Sequence, residues 1–294
     1  YNTSELKNKI KLYEKNIEIL ESTDLYKEGN LLNYNYSILA FFYNKNGDLK
    51  KASLFKNKHL KYMEARYGLG TSKYINALIS LYELYYDQGY YDNALEVFLK
   101  VKETIDLESF YKDDDQGDLK FYHQLATIYY KNNDNDNAIK VYKENLSLIK
   151  SKRSLSNNNQ TKDDLLRWEV LTLSDLALNI HNKYYTTGND KYLDEAEKLY
   201  LQNIKISEIS NLESIQRDLF ITKDNLTAIY ISRSKFEKAL PMIEENYTSC
   251  IKSYSEKNEK CLTQMITLAS VTSTFDLPKS IKILEKFLDL EPKT

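Results

Sequence analysis

A pattern of two amphipathic segments joined by a short polar turn recurs along this chain and constrains its fold more than any other feature. In residues 74–101, Leu81 and Tyr85 fall at helical spacing, a polar turn follows at 87–89, and apolar residues resume at the same period from Ala94. The stretch therefore predicts two helices that pack against each other as a hairpin.

The hairpin pattern repeats with a period of 42 to 44 residues in the first half of the chain. Leu39 lies 42 residues before Leu81, and Leu125 lies 44 residues after it. The leucine that marks the first helix recurs at Leu39, Leu81, Leu125, Leu176, Leu226 and Leu268. One such hairpin cannot bury its own apolar faces, so we expect consecutive hairpins to stack and share a continuous core.

Two further positions keep the same register. A small residue in the second helix lets two helix backbones approach closely, and it recurs at Ala52, Ala94, Ala138, Ala196, Ala239 and Ser280. The turn after the first helix carries a glycine or a short polar residue, at Gly47, Gly89, Asn133, Gly188 and Ser234. A larger side chain at the crossing, such as leucine at position 94, is expected to overpack it.

These residues resemble tetratricopeptide repeats. The long period, and Pro241 shortly after Ala239, are similar to the kinesin-light-chain type, which also occurs in bacterial signalling proteins and in caspase-like (CHAT) effector proteins. The resemblance implies an all-α fold, namely a right-handed superhelical solenoid of stacked antiparallel helix pairs with about six units. It also implies a bacterial protein that acts in regulation or as a scaffold.

We expect a single array over residues 1–294. An N-terminal helix is expected at 4–23, and helical hairpins at 30–68, 74–106, 118–150, 168–208, 219–255 and 260–292. The polar run between Lys150 and Asp164 interrupts the pattern, so a flexible insertion is expected at 151–164.

Charge and composition exclude several classes of partner. The net charge of −2 and the pI near 6.1 give no clustered positive field for nucleic acid or for an anionic membrane surface. No apolar run reaches the length of a spanning helix, and residues 1–20 are charged rather than signal-like. A cytoplasmic location is therefore expected; because the sequence starts at Tyr1 and not at Met, a secreted mature form stays open.

The sequence offers no catalytic or metal-binding motif. It lacks the glycine-rich phosphate loops, the paired-histidine zinc motif and the serine nucleophile motif, so we expect no enzyme activity, cofactor or metal. Cys250 and Cys261 flank a predicted turn at 256–259. Two unpaired, partly buried thiols are favoured there, and in an oxidising compartment the two could bridge neighbouring helices.

The resemblance also implies where a partner binds. In such repeats the first helices line a concave wall that holds extended peptides. The groove positions map onto Tyr34, Phe41, Asn44, Asn76, Glu83, Tyr86, His123, Tyr130 and His181. Aromatic and amide side chains suit hydrogen bonding to a peptide backbone together with apolar anchoring. Phe41 is equally open to packing against a neighbouring hairpin.

The leading hypothesis is a non-enzymatic scaffold that binds a protein or peptide in this groove. One alternative is a regulatory arm that controls an effector, for example a caspase-like protease, whose domain or subunit is not present in this chain. Another is a receptor for a peptide signal. The amphipathic segment 279–292 also favours self-association through the end helices.

Overall fold

The computed structural model describes residues 3–23, 30–111, 114 and 116–290. All regular secondary structure in these ranges is helical, which confirms the predicted all-α class. None of the described helices combines the length and the apolar character needed to cross a membrane.

The chain divides into two compact units, residues 1–134 and 135–294, and the single array stays a prediction. The helices of the first unit are α1 (Thr3–Ser22), α2 (Leu31–Lys45), α3 (Leu49–Tyr67), α4 (Ser72–Asp87), α5 (Tyr91–Thr104), α6 (Leu107–Phe110) and α7 (Gly117–Lys131). Those of the second are α8 (Asn135–Leu155), α9 (Asn159–Thr187), α10 (Lys191–Glu208), α11 (Glu213–Ser232), α12 (Phe236–Ser253), α13 (Glu259–Thr272) and α14 (Leu277–Leu290). The last two residues of the expected 260–292 hairpin lie outside the described part of the chain.

Small residues are buried where helices cross, as the repeat register predicts. Ala94 of α5, Ala196 of α10 and Ala239 of α12 have no solvent exposure. In α14 the position is taken by Ser280, whose buried hydroxyl donates a hydrogen bond to the carbonyl of Ala269 in α13 (2.7 Å). The absence of a bulky side chain at these sites allows the close approach of the paired helices.

The turn position between paired helices has a left-handed backbone. The φ angles are 78° at Gly47, 76° at Gly89, 60° at Asn133, 65° at Gly188 and 55° at Ser234. After α4, the N–H groups of Tyr90 and Gly89 donate to the carbonyls of Tyr85 (2.9 Å) and Tyr86 (3.0 Å). These two bonds form a Schellman motif, which satisfies carbonyls at the helix end and requires a positive φ at the turn residue.

Helix α1 is attached to α2 and α3 by two similar clusters seven residues apart. In each cluster a glutamate of α1 accepts a hydrogen bond from a tyrosine hydroxyl of α2 and lies within ion-pairing distance of a lysine of α3. The clusters are Glu14–Tyr43–Lys51 and Glu21–Tyr36–Lys58. The N-terminal helix therefore packs as part of the first unit.

The expected flexible insertion at 151–164 is instead helical, apart from residues 156–158. The side chain of Asn158 accepts a hydrogen bond from the N–H of Thr161 (3.2 Å) and so caps the start of α9. Local propensity does not explain this outcome, because serine, asparagine, aspartate and threonine dominate the run and are weak helix formers.

Contact between α8 and α9 stabilises this helical extension. Arg153 near the end of α8 forms an ion pair with Glu169 of α9 (2.6 Å). The Glu169 side chain is 3% exposed, whereas that of Arg153 is 35% exposed. A buried carboxylate needs such a partner, so this pair adds a specific contact to the packing of the two helices.

The two cysteines form a disulfide bond, where unpaired thiols were favoured from the sequence. Cys250 lies in the last turn of α12 and Cys261 in the first turn of α13, and both are buried. The hairpin between the two helices brings these ends together, which the sequence indicated only as an alternative.

Candidate functional site

The first helix of each hairpin exposes one face, and the recurring leucine defines its register. The position five residues before that leucine is exposed in every case, at Tyr34, Asn76, Lys120, Leu171, Ile221 and Thr263. Four positions on each first helix lie five or two residues before the leucine, or two or five residues after it. We call them the groove positions. They include every residue that the sequence predicted for partner binding.

On α2, Tyr34 and Phe41 present aromatic side chains to solvent, with 57% and 43% exposure. Asn44 accepts a hydrogen bond from Gln88 Nε2 (3.0 Å), which joins the end of α2 to the end of α4. Predicted residues of α2 and α4 are therefore neighbours in the first unit.

On α4, Asn76 and Glu83 are exposed and Tyr86 is half-buried. The Tyr86 ring packs between those of Tyr82 and Tyr91, with centroids 5.7 and 5.6 Å away. Burial raises the pKa of Tyr86, and the neighbouring Tyr91 and Asp87 add to the shift. Part of this ring thus stabilises the hairpin, and its remaining surface faces solvent.

On α7, His123 and Tyr130 are half-buried. The hydroxyl of Thr127 donates to the carbonyl of His123 (2.9 Å), and the Lys131 ammonium lies 5.9 Å from the Tyr130 ring centroid. Both side chains therefore remain partly accessible to solvent.

His181 on α9 does not belong to an exposed face. It is 4% exposed, stacks on Tyr185 (5.2 Å between centroids) and meets the edge of the buried Tyr200 of α10 (6.4 Å). Burial lowers the pKa of His181, which favours a neutral imidazole in the core. The sequence predicted that His181 lines the groove. This prediction is wrong, because the side chain lies in the core, where it packs against Tyr200 of α10.

The second unit contains a cleft of about 750 Å³ between α11, the end of α12 and the start of α13. Phe220, Ile221 and Tyr254 provide its apolar surface, and Ile221 and Tyr254 are 55% and 50% exposed. Cys250, one half of the disulfide, also lines it. A volume of this size is typical of sites that hold small molecules or peptide side chains.

Polar groups in the cleft are held in place by contacts with each other. Gln264 Nε2 on α13 donates a hydrogen bond to Asp224 Oδ1 on α11 (2.7 Å), and Gln264 is buried. The ammonium of Lys260 lies 5.7 Å from the ring centroid of Tyr254. The amide–carboxylate pair thus spans the cleft, and its geometry is set before any ligand arrives.

The cleft coincides with groove positions that were not assigned from the sequence. Ile221 and Asp224 lie five and two residues before Leu226, and Thr263 lies five residues before Leu268. The sequence mapping stopped at the fourth hairpin; the same register continued to α11 and α13 finds these residues. The repeat register therefore contained enough information to predict these cleft residues.

A tetratricopeptide-repeat family model matches residues 119–151, which cover most of α7 and α8. Among solved structures, the apo form of RapI is similar with a TM-score of 0.63 and 13% identity, over 97% of this chain and 76% of that chain. The chain has the tetratricopeptide-repeat fold. No curated protein matches the sequence.

Two further solved structures share the tetratricopeptide-repeat fold. The apo quorum sensor NprR from B. thuringiensis has a TM-score of 0.56 and 16% identity, over 98% of this chain and 76% of that chain. A signal transduction ATPase with numerous domains and a tetratricopeptide-repeat sensor, from Pyrococcus horikoshii, has a TM-score of 0.56 and 20% identity. That match covers 95% of this chain and 39% of the ATPase.

Proposed function

We propose that the chain is a non-catalytic binding protein that holds a peptide segment of its partner in the cleft between α11 and α13. The observation that carries the proposal is the convergence of groove positions from consecutive first helices, Ile221 and Asp224 with Thr263, on one cavity. The repeat register and the shape of the surface therefore point to the same place.

The chemistry of the cleft suits one apolar peptide side chain and the backbone beside it. Phe220, Ile221 and Tyr254 offer apolar and aromatic surface for the side chain. Gln264 donates to Asp224 through its nitrogen, so its carbonyl oxygen is the atom of this amide that can accept from a peptide N–H. Recognition of an extended peptide by one pocket plus backbone hydrogen bonds is a common mode.

The aromatic face of α2 and α4 in the first unit is a second candidate surface. Tyr34 and Phe41 are exposed there, and the Gln88–Asn44 hydrogen bond ties the two helices. A partner that uses this face loses affinity when Tyr86 and Asn44 are both changed to alanine. A partner of the cleft keeps its affinity in that double variant.

A sensor role is the alternative that the comparisons favour. NprR is described as a quorum sensor, and the Pyrococcus protein carries its repeats as the sensor of a larger ATPase. By analogy, the peptide would be a signal, or the repeats would be a regulatory arm of an effector. Both alternatives use the same cleft and differ in the response that peptide binding triggers.

The experiment is a selection of phage-displayed random dodecapeptides on the intact chain, followed by affinity measurements. We expect selected peptides to share an apolar anchor and to lose at least about tenfold in affinity on Ile221→Asp. Ile209→Asp is the matched control, because Ile209 is an exposed isoleucine of the same unit that does not line the cleft. Equal affinity for the two variants would refute the placement.

A further inference from the structure

The Cys250–Cys261 disulfide joins the two elements that form one side of the cleft. Cys250 precedes Ser253 and Tyr254, which line the cleft at the end of α12, and Cys261 lies between Lys260 and Gln264 on α13. We call the end of α12 and the start of α13 the two walls. Apart from the disulfide, only the connecting backbone links them covalently.

The connecting turn has one tie to the cleft, since the side chain of Asn258 accepts a hydrogen bond from the N–H of Lys260 (3.0 Å). The turn is closed by a hydrogen bond from the N–H of Asn258 to the carbonyl of Ser255 (2.9 Å). Glu256 in the turn accepts a hydrogen bond from Tyr247 (2.9 Å) and pairs with Lys286 of α14, away from the cleft-lining residues. Single polar contacts of this kind are weak, so among the contacts of the turn the disulfide is the strongest constraint on the spacing of the walls.

We propose that this disulfide is a clamp that pre-organises the cleft, and that peptide binding requires it. The proposal rests on the proposed function and specifies the regulation of that site. With the bond intact, Tyr254 and Gln264 are held at a fixed separation, so little ordering remains to oppose binding. With the bond broken, the end of α12 and the start of α13 separate and the apolar surface is no longer continuous.

The chemistry of release is a two-electron reduction by a dithiol. One thiolate of the reductant attacks a cysteine sulfur, breaks the S–S bond and forms a mixed disulfide. Its second thiolate then displaces the remaining cysteine, which leaves two protonated cysteines and an oxidised cyclic reductant. Both sulfurs belong to buried residues, so this exchange needs a local opening of the α12–α13 turn.

The clamp assigns the binding activity to an oxidising environment. Disulfides persist in secreted and extracytoplasmic proteins and are rare where glutathione and thioredoxin keep thiols reduced. The described chain has no cysteine outside this bond. The cytoplasmic location expected from the sequence is replaced by an oxidising compartment in this proposal.

The first test needs no ligand. Hydrogen exchange is measured on the intact chain and on the Cys250→Ala/Cys261→Ala variant, with the folded chain reduced by dithiothreitol as a second sample if that variant does not fold. We expect faster exchange confined to residues 249–264, with α9 and α10 unchanged. Faster exchange throughout the second unit, or no change, would overturn the clamp and leave a general structural role or none.

The second test uses dodecapeptides selected separately on the oxidised chain and on the double cysteine variant. We expect peptides whose binding is sensitive to Ile221→Asp to bind the oxidised chain at least about tenfold more tightly. Equal affinity for both forms would overturn the clamp while the peptide site stands. If neither form selects a peptide sensitive to Ile221→Asp, the proposed function fails, whatever the hydrogen exchange reports.

Discussion

The two units are built on the same repeat but stabilise it with different chemistry. In residues 1–134 the described ion pairs are accessible, and Glu21 receives the hydroxyl of Tyr36 (2.6 Å) and the ammonium of Lys58 (2.8 Å) at the surface. In residues 135–294 charged groups are buried: Glu169 is paired with an arginine, and Lys223 lies between two glutamates. The second unit also holds the disulfide and the cleft.

The difference separates the positions that define the fold from those that give each unit its own surface. Alanines at the crossings and left-handed turn residues occur in both units, so they define the repeat. The residues between them vary, and they give one unit an exposed aromatic face and the other a clamped cleft. Four predictions separate the shared features from the divergent ones.

The largest effect is expected from the buried ion pair of the second unit. Arg153→Ala leaves the Glu169 carboxylate buried without its partner and should lower the free energy of unfolding by about 3 kcal/mol. The fluorescence of Trp168, the single tryptophan, reports the urea unfolding of this unit because the residue lies on α9.

The matched change in the first unit is Lys58→Ala, followed by far-UV circular dichroism. The Lys58 and Glu21 side chains are both well exposed, so the cost should stay below about 1 kcal/mol. Similar losses for the two variants would show that burial does not distinguish the units.

Overpacking at the crossing should affect both units alike. Ala94→Leu and Ala239→Leu each insert a large side chain at a fully buried position, with an expected cost of about 1–3 kcal/mol. The change in urea midpoint is measured for each variant, with Ala228→Leu as a control on an exposed position of α11. A cost in only one unit would break the equivalence of the two positions.

Turn residues should respond in opposite directions according to whether glycine is present. Ser234 has a φ of 55°, so Ser234→Gly should stabilise the second unit by about 1 kcal/mol. Gly89 has a φ of 76° and open space around an added Cβ, so Gly89→Ala should cost a similar amount from backbone strain alone.

Ser232→Gly is the control for the turn prediction, since Ser232 lies in the last turn of α11 and should lose stability on the same change. Thermal unfolding of all three variants provides the comparison. If Ser234→Gly is destabilising, the left-handed turn does not limit the stability of this repeat.

The smallest effect is a pH dependence from the buried histidines. Burial lowers the folded-state pKa of His181, so the native state binds fewer protons than the unfolded chain once the pH falls below about 6.5. Stability is therefore fully present above that pH and decreases as the pH falls towards the lowered pKa. His181→Gln should flatten this slope, measured by urea unfolding at about pH 7.5 and about pH 5.5.

His59 in the first unit gives the comparison for the pH dependence. Burial lowers its pKa too, a hydrogen bond to the backbone of Asn33 opposes the shift, and the charge of Lys56 adds to it; His59 is only half-buried, whereas His181 is buried. His59→Gln should therefore have the smaller effect. A steeper change for His59→Gln than for His181→Gln would contradict this reading of the two sites.

Much of the fold followed from the sequence because the repeat is a local pattern. The leucine register, the crossing alanines and the turn residues each depend on spacing along one hairpin, and the exposed residues Tyr34 and Phe41 of α2 and Asn76 and Glu83 of α4 lie on the faces expected from that register. The same register also contained the cleft residues Ile221 and Asp224, although the mapping was not carried that far.

Other features were decided by contacts that spacing does not encode. His181 occupies a groove position, yet the ring of Tyr200 on the neighbouring helix holds it in the core. The polar run 151–164 is helical because Arg153 meets a buried carboxylate on α9. Each outcome depends on the side chains of a second helix.

By itself, the sequence determined the helices and their pairing positions, because these follow from a local period of apolar and small residues. Only the tertiary structure decided that Cys250 and Cys261 bond, and that α11, α12 and α13 enclose a cleft. The physical reason is that a cavity is the space left between elements. Its shape depends on how far apart three helices lie, which no single helix specifies.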